Sequence, residues 1–294
     1  MAVQRDTSAR TLDQFYTNQK VAAECLLLVE RYLIGIGCDN PFWIEPSAGR
    51  GAFFSIILGR KIGLDIEPKG EGIRRRDFLI WSPFDDDPLI TGPFVTVGNP
   101  PFGKNSSLAM KFINHAARFS DVVAFILPKT FQKDSTKVRI HPFLHLVLEA
   151  ELPQESFIFN GDVYDVPCVF QIWEKRGYER PAIERKLNHP HFRFGPPCHA
   201  SFSFQRVGRR AGKICVDHQE KSPLSHYFIT PVCAEIPVED ILRTIDWKEI
   251  SGRTSGNPSI GKAELVAAYE KALLGRSPDP TIRQGSGSPL RIAG

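Results

Sequence analysis

The sequence predicts an α/β fold in which a mostly parallel sheet is covered by helices on both faces. Over the first 175 residues, apolar strand-like runs alternate with helical patterns, and this alternation is typical of parallel sheets. Polar residues also follow directly after successive strand-like runs, and parallel sheets bind ligands beyond the carboxyl ends of their strands. These strand-end residues are Glu45, Asp65, Asp77 and Asn99.

The hydrophobic patterns give the order of the elements. Apolar residues recur at helical spacing over residues 18–33, which predicts the first helix, and further helices are expected over 52–58 and 108–118. The runs that predict strands lie at 42–45, 61–66, 76–79, 93–98, 121–127, 144–152 and 166–173.

The pattern changes after about residue 175, where prolines, histidines and aromatic residues become frequent. Short strands are expected over 200–207 and 213–216, and a last helix over 260–274 with Ser259 as its cap. We therefore expect a flexible N-terminus at 1–12, an α/β domain at 13–175, a small α+β substrate-recognition or accessory segment at 176–274, and a flexible tail at 275–294.

Composition excludes several classes of protein. No apolar run approaches the ~20 residues that a membrane span needs, and the polar N-terminus lacks an export signal core, so we expect a cytoplasmic protein without a membrane partner. The net charge of +4 permits a polyanionic partner without requiring one. The six cysteines form no CxxC pair and are interpreted as reduced packing residues. We expect no metal, because the spacing of His189, His191, Cys198 and His199 fits no ligand pattern.

A turn with two glycines follows the first strand, and residues 45–51 read EPSAGRG. Glycine lets the backbone adopt positive φ and approach a ligand closely. Because position 54 is Phe, the G-x-G-x-x-G pattern of dinucleotide-binding loops is incomplete. S-adenosylmethionine is a nucleotide-type ligand without a phosphate, and its parts call for different partners. Asp65 is placed to accept hydrogen bonds from the ribose hydroxyls, Asp77 with Phe78 is placed for the adenine, and Glu45 for the methionine end.

The tetrapeptide Asn99-Pro100-Pro101-Phe102 follows another predicted strand. An aromatic amino group is a poor nucleophile because its lone pair is delocalised into the ring. Two acceptors on its hydrogens, the Asn99 side-chain oxygen and the Pro100 carbonyl, would free that lone pair by preorganised electrostatics. The prolines fix φ and stiffen this presentation, and Phe102 could stack on a planar target.

Together these segments resemble the class I amino-methyltransferases that carry an N/D/S-P-P-Y/F motif. The segments are DQFYT at 13–17, EPSAGRG at 45–51, GLDIEP at 63–68, DFL at 77–79 and NPPF at 99–102. Their order resembles the gamma arrangement of DNA adenine-N6 methyltransferases, and the resemblance covers roughly residues 12–175. It implies a seven-stranded Rossmann-like sheet, S-adenosylmethionine as cofactor, and methylation of adenine N6 in DNA or RNA.

The resemblance also implies roles for single residues. The tetrapeptide Asn99 to Phe102 would be catalytic, and an aromatic residue at 156–173 would stack on a flipped base, with Phe157 preferred over Phe159 and Tyr164. The cofactor pocket would be lined by Tyr16, Thr17, Glu45, Ala48, Gly49, Asp65, Asp77 and Phe78.

Two departures from the family pattern favour RNA or DNA of relaxed specificity as the polymer: Phe rather than Tyr ends the motif, and the C-terminal segment is short. Phosphate contacts are expected from Arg206, Arg209 and Arg210 or from the arginines at 74–76, and a protein partner for specificity is conceivable. Two alternatives remain: a methyltransferase acting on glutamine amides in protein, and a catalytically inactive nucleic-acid-binding protein of this fold.

Overall fold

The strands and helices below come from a computed structural model, which describes residues 16–159, 162–164, 166–254 and 256–275. The predicted flexible N-terminus lies outside these residues, and so does the predicted tail apart from Gly275. The strands are β1 (Tyr16–Thr17), β2 (Phe42–Glu45), β3 (Lys61–Asp65), β4 (Arg74–Arg75), β5 (Phe94–Gly98), β6 (Val122–Pro128), β7 (Leu144–Glu151), β8 (Phe157–Phe159), β9 (Asp162–Tyr164), β10 (Cys168–Lys175), β11 (Phe192–Gly195), β12 (Phe202–Gln205), β13 (Ile214–Cys215) and β14 (His226–Pro231). The helices are α1 (Gln19–Gly35), α2 (Pro83–Asp86), α3 (Ser107–Ala116), α4 (Asp134–Lys137), α5 (Val238–Arg243), α6 (Trp247–Ser251) and α7 (Lys262–Leu274).

Seven strands form the central sheet, in the order β4-β3-β2-β5-β6-β10-β7. The pairs β3–β4, β2–β3, β2–β5 and β5–β6 are parallel, whereas β10 is antiparallel to both β6 and β7. The predicted fold class, a mostly parallel, Rossmann-like seven-stranded sheet, is therefore confirmed. A separate small antiparallel sheet joins β1, β8 and β9.

Helices cover both faces of the central sheet, as predicted. Side chains of β6 alternate between two cores, with Val123 and Phe125 on the α3 side and Ala124 and Ile126 on the α1 side. Every residue of β6 is buried, which explains why this strand is a continuous apolar run in the sequence.

The helix predicted over residues 52–58 is wrong. The chain forms separate turns there, closed by hydrogen bonds from Ser55 N–H to Gly51 O and from Ile57 N–H to Phe53 O. The N–H of Phe54 donates to the Glu45 side chain at 2.6 Å. In a helix that began at residue 52, this N–H would be a first-turn donor without a partner inside the helix, so the carboxylate of Glu45 caps these turns.

Two further expectations are corrected. The strand expected over 76–79 is the short β4, and Asp77 instead caps a 3₁₀ turn at Phe78–Ile80. The cap of α7 is Gly261 rather than Ser259, because the Glu264 carboxylate accepts a hydrogen bond from the Gly261 N–H at 2.7 Å.

The chain divides into two compact units. The first unit runs to Arg185 and also includes Arg253–Gly256. The second unit begins at Lys186 and has its own sheet, in the order β11-β14-β12-β13, and its own core with residues of α5, α6 and α7. Within the described residues, no helix has both the length and the apolar character needed to cross a bilayer.

Candidate functional site

A cavity of about 530 Å³ lies at the carboxyl ends of β2, β3 and β5. Its walls bring together residues from segments that are distant in the sequence. Among the residues singled out from the sequence, those that line it are Tyr16, Thr17, Glu45, Ala48, Gly49, Asp65, Asp77, Phe78, Asn99 and Pro101.

The glycine turn forms one wall of this cavity. Gly49 has a φ of +52°, a conformation that glycine adopts without a steric cost. Its N–H donates to Asp65 Oδ2 at 2.7 Å, and a Cβ at this position would lie 3.1 Å from Cε1 of Tyr16. The turn therefore packs closely against the Tyr16 ring, which would have to shift by a few tenths of an ångström to admit a Cβ.

Glu45 is a buried carboxyl at the base of the cavity, with 3% of its surface exposed. Burial raises the pKa of Glu45 to about 8, and the nearby Asp65 charge also raises it. Hydrogen bonds from the N–H groups of Phe54 and Phe53, together with the charge of Lys61, act in the opposite direction. An incoming cation would favour the ionised carboxylate at this position.

The two other acids are held by the backbone at the ends of β3 and β4. Asp65 Oδ1 accepts a hydrogen bond from the N–H of Glu67 at 2.8 Å. Asp77 Oδ1 accepts one from the N–H of Leu79 at 2.9 Å. Both carboxylates are therefore oriented before any ligand binds.

Phe78 anchors the Asp77 turn through its ring. The ring is 1% exposed and lies 5.2 Å from the Phe112 ring and 4.9 Å from the His115 ring, measured between centroids. The ring belongs to the core on the α3 side, and Phe78 also lines the cavity beside Asp77.

The tetrapeptide follows directly after β5. The side-chain oxygen of Asn99 is buried, and the Asn99 carbonyl accepts a hydrogen bond from Ser47 Oγ at 3.0 Å. Pro101 lines the cavity, Pro100 is buried, and Phe102 packs against both cores of the first unit. The tetrapeptide is thus held by the packing of Phe102 and by the hydrogen bond to Asn99, and that bond links it to the glycine turn.

The lining residues that were not assigned to the site from the sequence include Ser47, Arg50 and Ile66. Ile66 is 58% exposed although it directly follows the strand-end Asp65, and an apolar residue at that position could have been recognised as a ligand contact. Arg50 lies with its Cζ 4.7 Å from the centroid of the Tyr16 ring. No local sequence pattern indicates this contact between Arg50 and Tyr16, because β1 and the glycine turn are far apart in the chain.

The prediction that Phe157 stacks on a target base is wrong. Its side chain is fully buried in the core on the α1 side. Its neighbour Ile158 lines the cavity instead, since alternate residues of a strand face opposite sides. The other two candidates, Phe159 and Tyr164, have side chains that the structure does not describe.

The predicted phosphate contacts differ in their surroundings. Arg206 is half-buried in the second unit, where its Nη1 donates to the Leu224 carbonyl at 2.8 Å and its Cζ lies 5.3 Å from the Tyr227 ring centroid. Arg209 and Arg210 are exposed. In the first unit, Arg74 pairs with Asp86 at 3.2 Å.

Across the described residues, no group of three or more His, Cys, Asp or Glu side chains is arranged to hold a metal ion.

No protein-family model and no curated protein sequence matches the chain. Solved structures similar in fold include a proposed RNA methyltransferase from Pyrococcus horikoshii, with 15% identity, 60% of this chain and 92% of that chain covered, and a TM-score of 0.42. A proposed methyltransferase from Escherichia coli has 11% identity, covering 53% and 86% of the two chains, with a TM-score of 0.35. Magnesium protoporphyrin IX methyltransferase from Synechocystis with bound SAM has 11% identity, covering 60% and 87%, with a TM-score of 0.36. Similarity at this level concerns the fold alone.

Proposed function

We propose that the protein transfers a methyl group from S-adenosylmethionine to an exocyclic amino nitrogen, adenine N6 in DNA or RNA. The supporting observation is that one cavity is lined both by the acids Glu45, Asp65 and Asp77 and by Asn99. In this proposal residues 13–175 form the catalytic domain and residues 176–274 the recognition segment.

The cavity fits such a cofactor in size and in chemistry. Its volume of about 530 Å³ falls within the ~300–1,000 Å³ typical of small-molecule sites. Asp77 accepts from the adenine amino group and Asp65 from the ribose, while Ala48, Gly49 and the buried Glu45 hold the methionine end. Tyr16 and Thr17 close the pocket over it.

The bound cofactor supplies an electrophilic methyl group. Asn99 Oδ1 and the Pro100 carbonyl accept the two hydrogens of the target amino group, which frees the nitrogen lone pair for attack. Because the Asn99 side-chain oxygen is buried, this acceptor acts in a low dielectric, where a hydrogen bond is stronger than in water. The rigid prolines keep both acceptors in place, and half-buried Phe102 contacts the planar target.

Nucleic acid is the partner that we propose, with RNA or DNA of relaxed specificity favoured by Phe102 at the last motif position. A glutamine amide presents a similar planar NH₂ group, so the tetrapeptide alone does not separate the two substrates.

The test is transfer of a radiolabelled methyl group to matched pools of double-stranded DNA, single-stranded DNA, RNA and protein, followed by nucleoside analysis. We expect label as N6-methyladenine in one nucleic-acid pool. Label confined to protein would identify an amide methyltransferase. No label in any pool, with cofactor binding shown separately, would favour the inactive binding protein.

A further inference from the structure

The loop that joins β12 to β13 in the second unit is strongly basic. Residues 206–213 read RVGRRAGK, with four cations and no acid. None of the four forms an ion pair with a described residue. Folded surfaces usually intersperse both signs of charge, so an unbalanced loop of this kind favours an anionic partner.

Backbone contacts hold this loop in one conformation. Gly208 donates its N–H to the Pro258 carbonyl at 2.8 Å, and the Ile260 N–H donates to the Arg206 carbonyl at 2.8 Å. Two turns follow within the loop, in which the Ala211 N–H donates to Gly208 O and the Lys213 N–H to Arg210 O. The loop is therefore fastened at its base and folded at its tip.

Two glycines make this shape possible. Gly208 and Gly212 have φ values of +96° and +100°, which strongly favour glycine. At Gly212 an added Cβ would lie 2.2 Å from the Cβ of Trp247, so the loop packs directly on α6. A loop held in this way loses little conformational entropy when it binds a ligand.

A cation–aromatic cluster braces the base of the loop. Arg206 stacks on the Tyr227 ring, while Lys262 Nζ lies 4.7 Å from the Phe194 centroid and 5.8 Å from the Tyr227 centroid. The two rings are 5.4 Å apart. Arg206 is therefore a positioning residue. The exposed cations left to contact a ligand are Arg209 and Arg210 at the tip and Lys213 just before β13.

We propose that Arg209 and Arg210 form a phosphodiester clamp that binds the backbone of nucleic acid. Two adjacent guanidinium groups on a rigid tip suit phosphate, which arginine binds through paired N–H donors. This inference rests on the proposed function for the class of partner, but the clamp binds without cofactor and without methyl transfer.

The test measures binding of the full chain to a fluorescent 20-nucleotide RNA and to a 20-base-pair DNA duplex across ~50–200 mM salt. The variant Arg209→Gln/Arg210→Gln should bind at least tenfold more weakly at the lowest salt. For this variant the slope of log K against log[salt] should become less negative by about 1.4 for the RNA and by about 1.8 for the duplex, as expected for two lost phosphate contacts. The polymer with the larger effect is the one that the clamp fits.

The matched control is Lys248→Gln/Lys271→Gln, which removes the same charge from exposed helical positions of the same unit and should change affinity less than twofold. Equal losses in both double variants would show a net-charge effect and overturn the clamp, as would no loss in the arginine variant. Equally tight, arginine-dependent binding of poly-glutamate would point to an acidic protein partner instead. Because methyl transfer is not measured, failure of the clamp is separate from failure of the proposed function.

Discussion

At the residue scale, the hydrogen bond from Ser47 Oγ to the Asn99 carbonyl links the glycine turn to the tetrapeptide. The variant Ser47→Ala removes this bond, and one hydrogen bond contributes about 1 kcal/mol net, or about fivefold in rate. We expect the single-turnover methyl-transfer rate to fall by that factor while the cofactor Kd from calorimetry stays nearly constant. Ser82→Ala is the control, because its hydroxyl accepts a hydrogen bond from the Phe84 N–H at 3.2 Å and Ser82 does not line the cavity. A weaker cofactor Kd with an unchanged rate would assign the Ser47 hydroxyl to cofactor binding.

Glu45 gives a second residue-scale prediction, which concerns stability. Burial raises the pKa of Glu45 from 4.5 to about 8. At a pH between these two values, the carboxyl is therefore protonated in the folded protein and ionised in the unfolded chain. The stabilising contribution is complete below the unfolded pKa and is lost as pH rises through about 8. In calorimetry at pH 5 to 9, the Tm of the wild type relative to Glu45→Gln should therefore fall with rising pH. A difference that stays flat or rises would contradict a neutral buried carboxyl.

At the scale of elements, the glycine turn forms one wall of the cavity, and its backbone conformation sets the position of that wall. Alanine in the left-handed region costs about 1–2 kcal/mol, and at Gly49 the new Cβ would also press on Tyr16. We expect Gly49→Ala to weaken cofactor affinity at least tenfold by calorimetry. Gly37→Ala is the matched control, since Gly37 has a φ of +66° with nothing within 4 Å of its Cβ position. Gly37→Ala should lower the Tm through the same backbone strain and leave the cofactor affinity unchanged. An unchanged affinity in Gly49→Ala would remove the turn from the site.

Elements that a local sequence pattern indicates could be predicted, whereas elements that depend on contacts between distant residues could not. The strands that end at Glu45 and Asp65 follow from short apolar runs closed by an acid. The turns after Gly51 depend on tertiary contacts, because residues 52–58 contain neither glycine nor proline to interrupt a helix. The burial of Phe157 likewise depends on packing against α1, which a single aromatic residue in a sequence does not reveal.

At the scale of the whole molecule, the first unit was more predictable than the second. Parallel strands buried on both faces leave continuous apolar runs, as in β6. In the second unit the strands β11 and β14 are short and mix aromatic, polar and proline residues, so neither was identified. Its helices α5 and α6 have six and five residues, too few for a periodic pattern to emerge.

The central claim is that one cavity binds S-adenosylmethionine while Asn99 activates the target amino group. The most direct measurement compares methyl transfer and calorimetric cofactor Kd in the wild type, Asn99→Ala and Asp65→Ala. We expect Asn99→Ala to lose about a hundredfold or more in transfer rate, as for other preorganised electrostatic groups, with the cofactor Kd within about twofold of the wild type. Asp65→Ala should weaken cofactor binding itself. Transfer by Asn99→Ala at a rate close to that of the wild type would contradict the account.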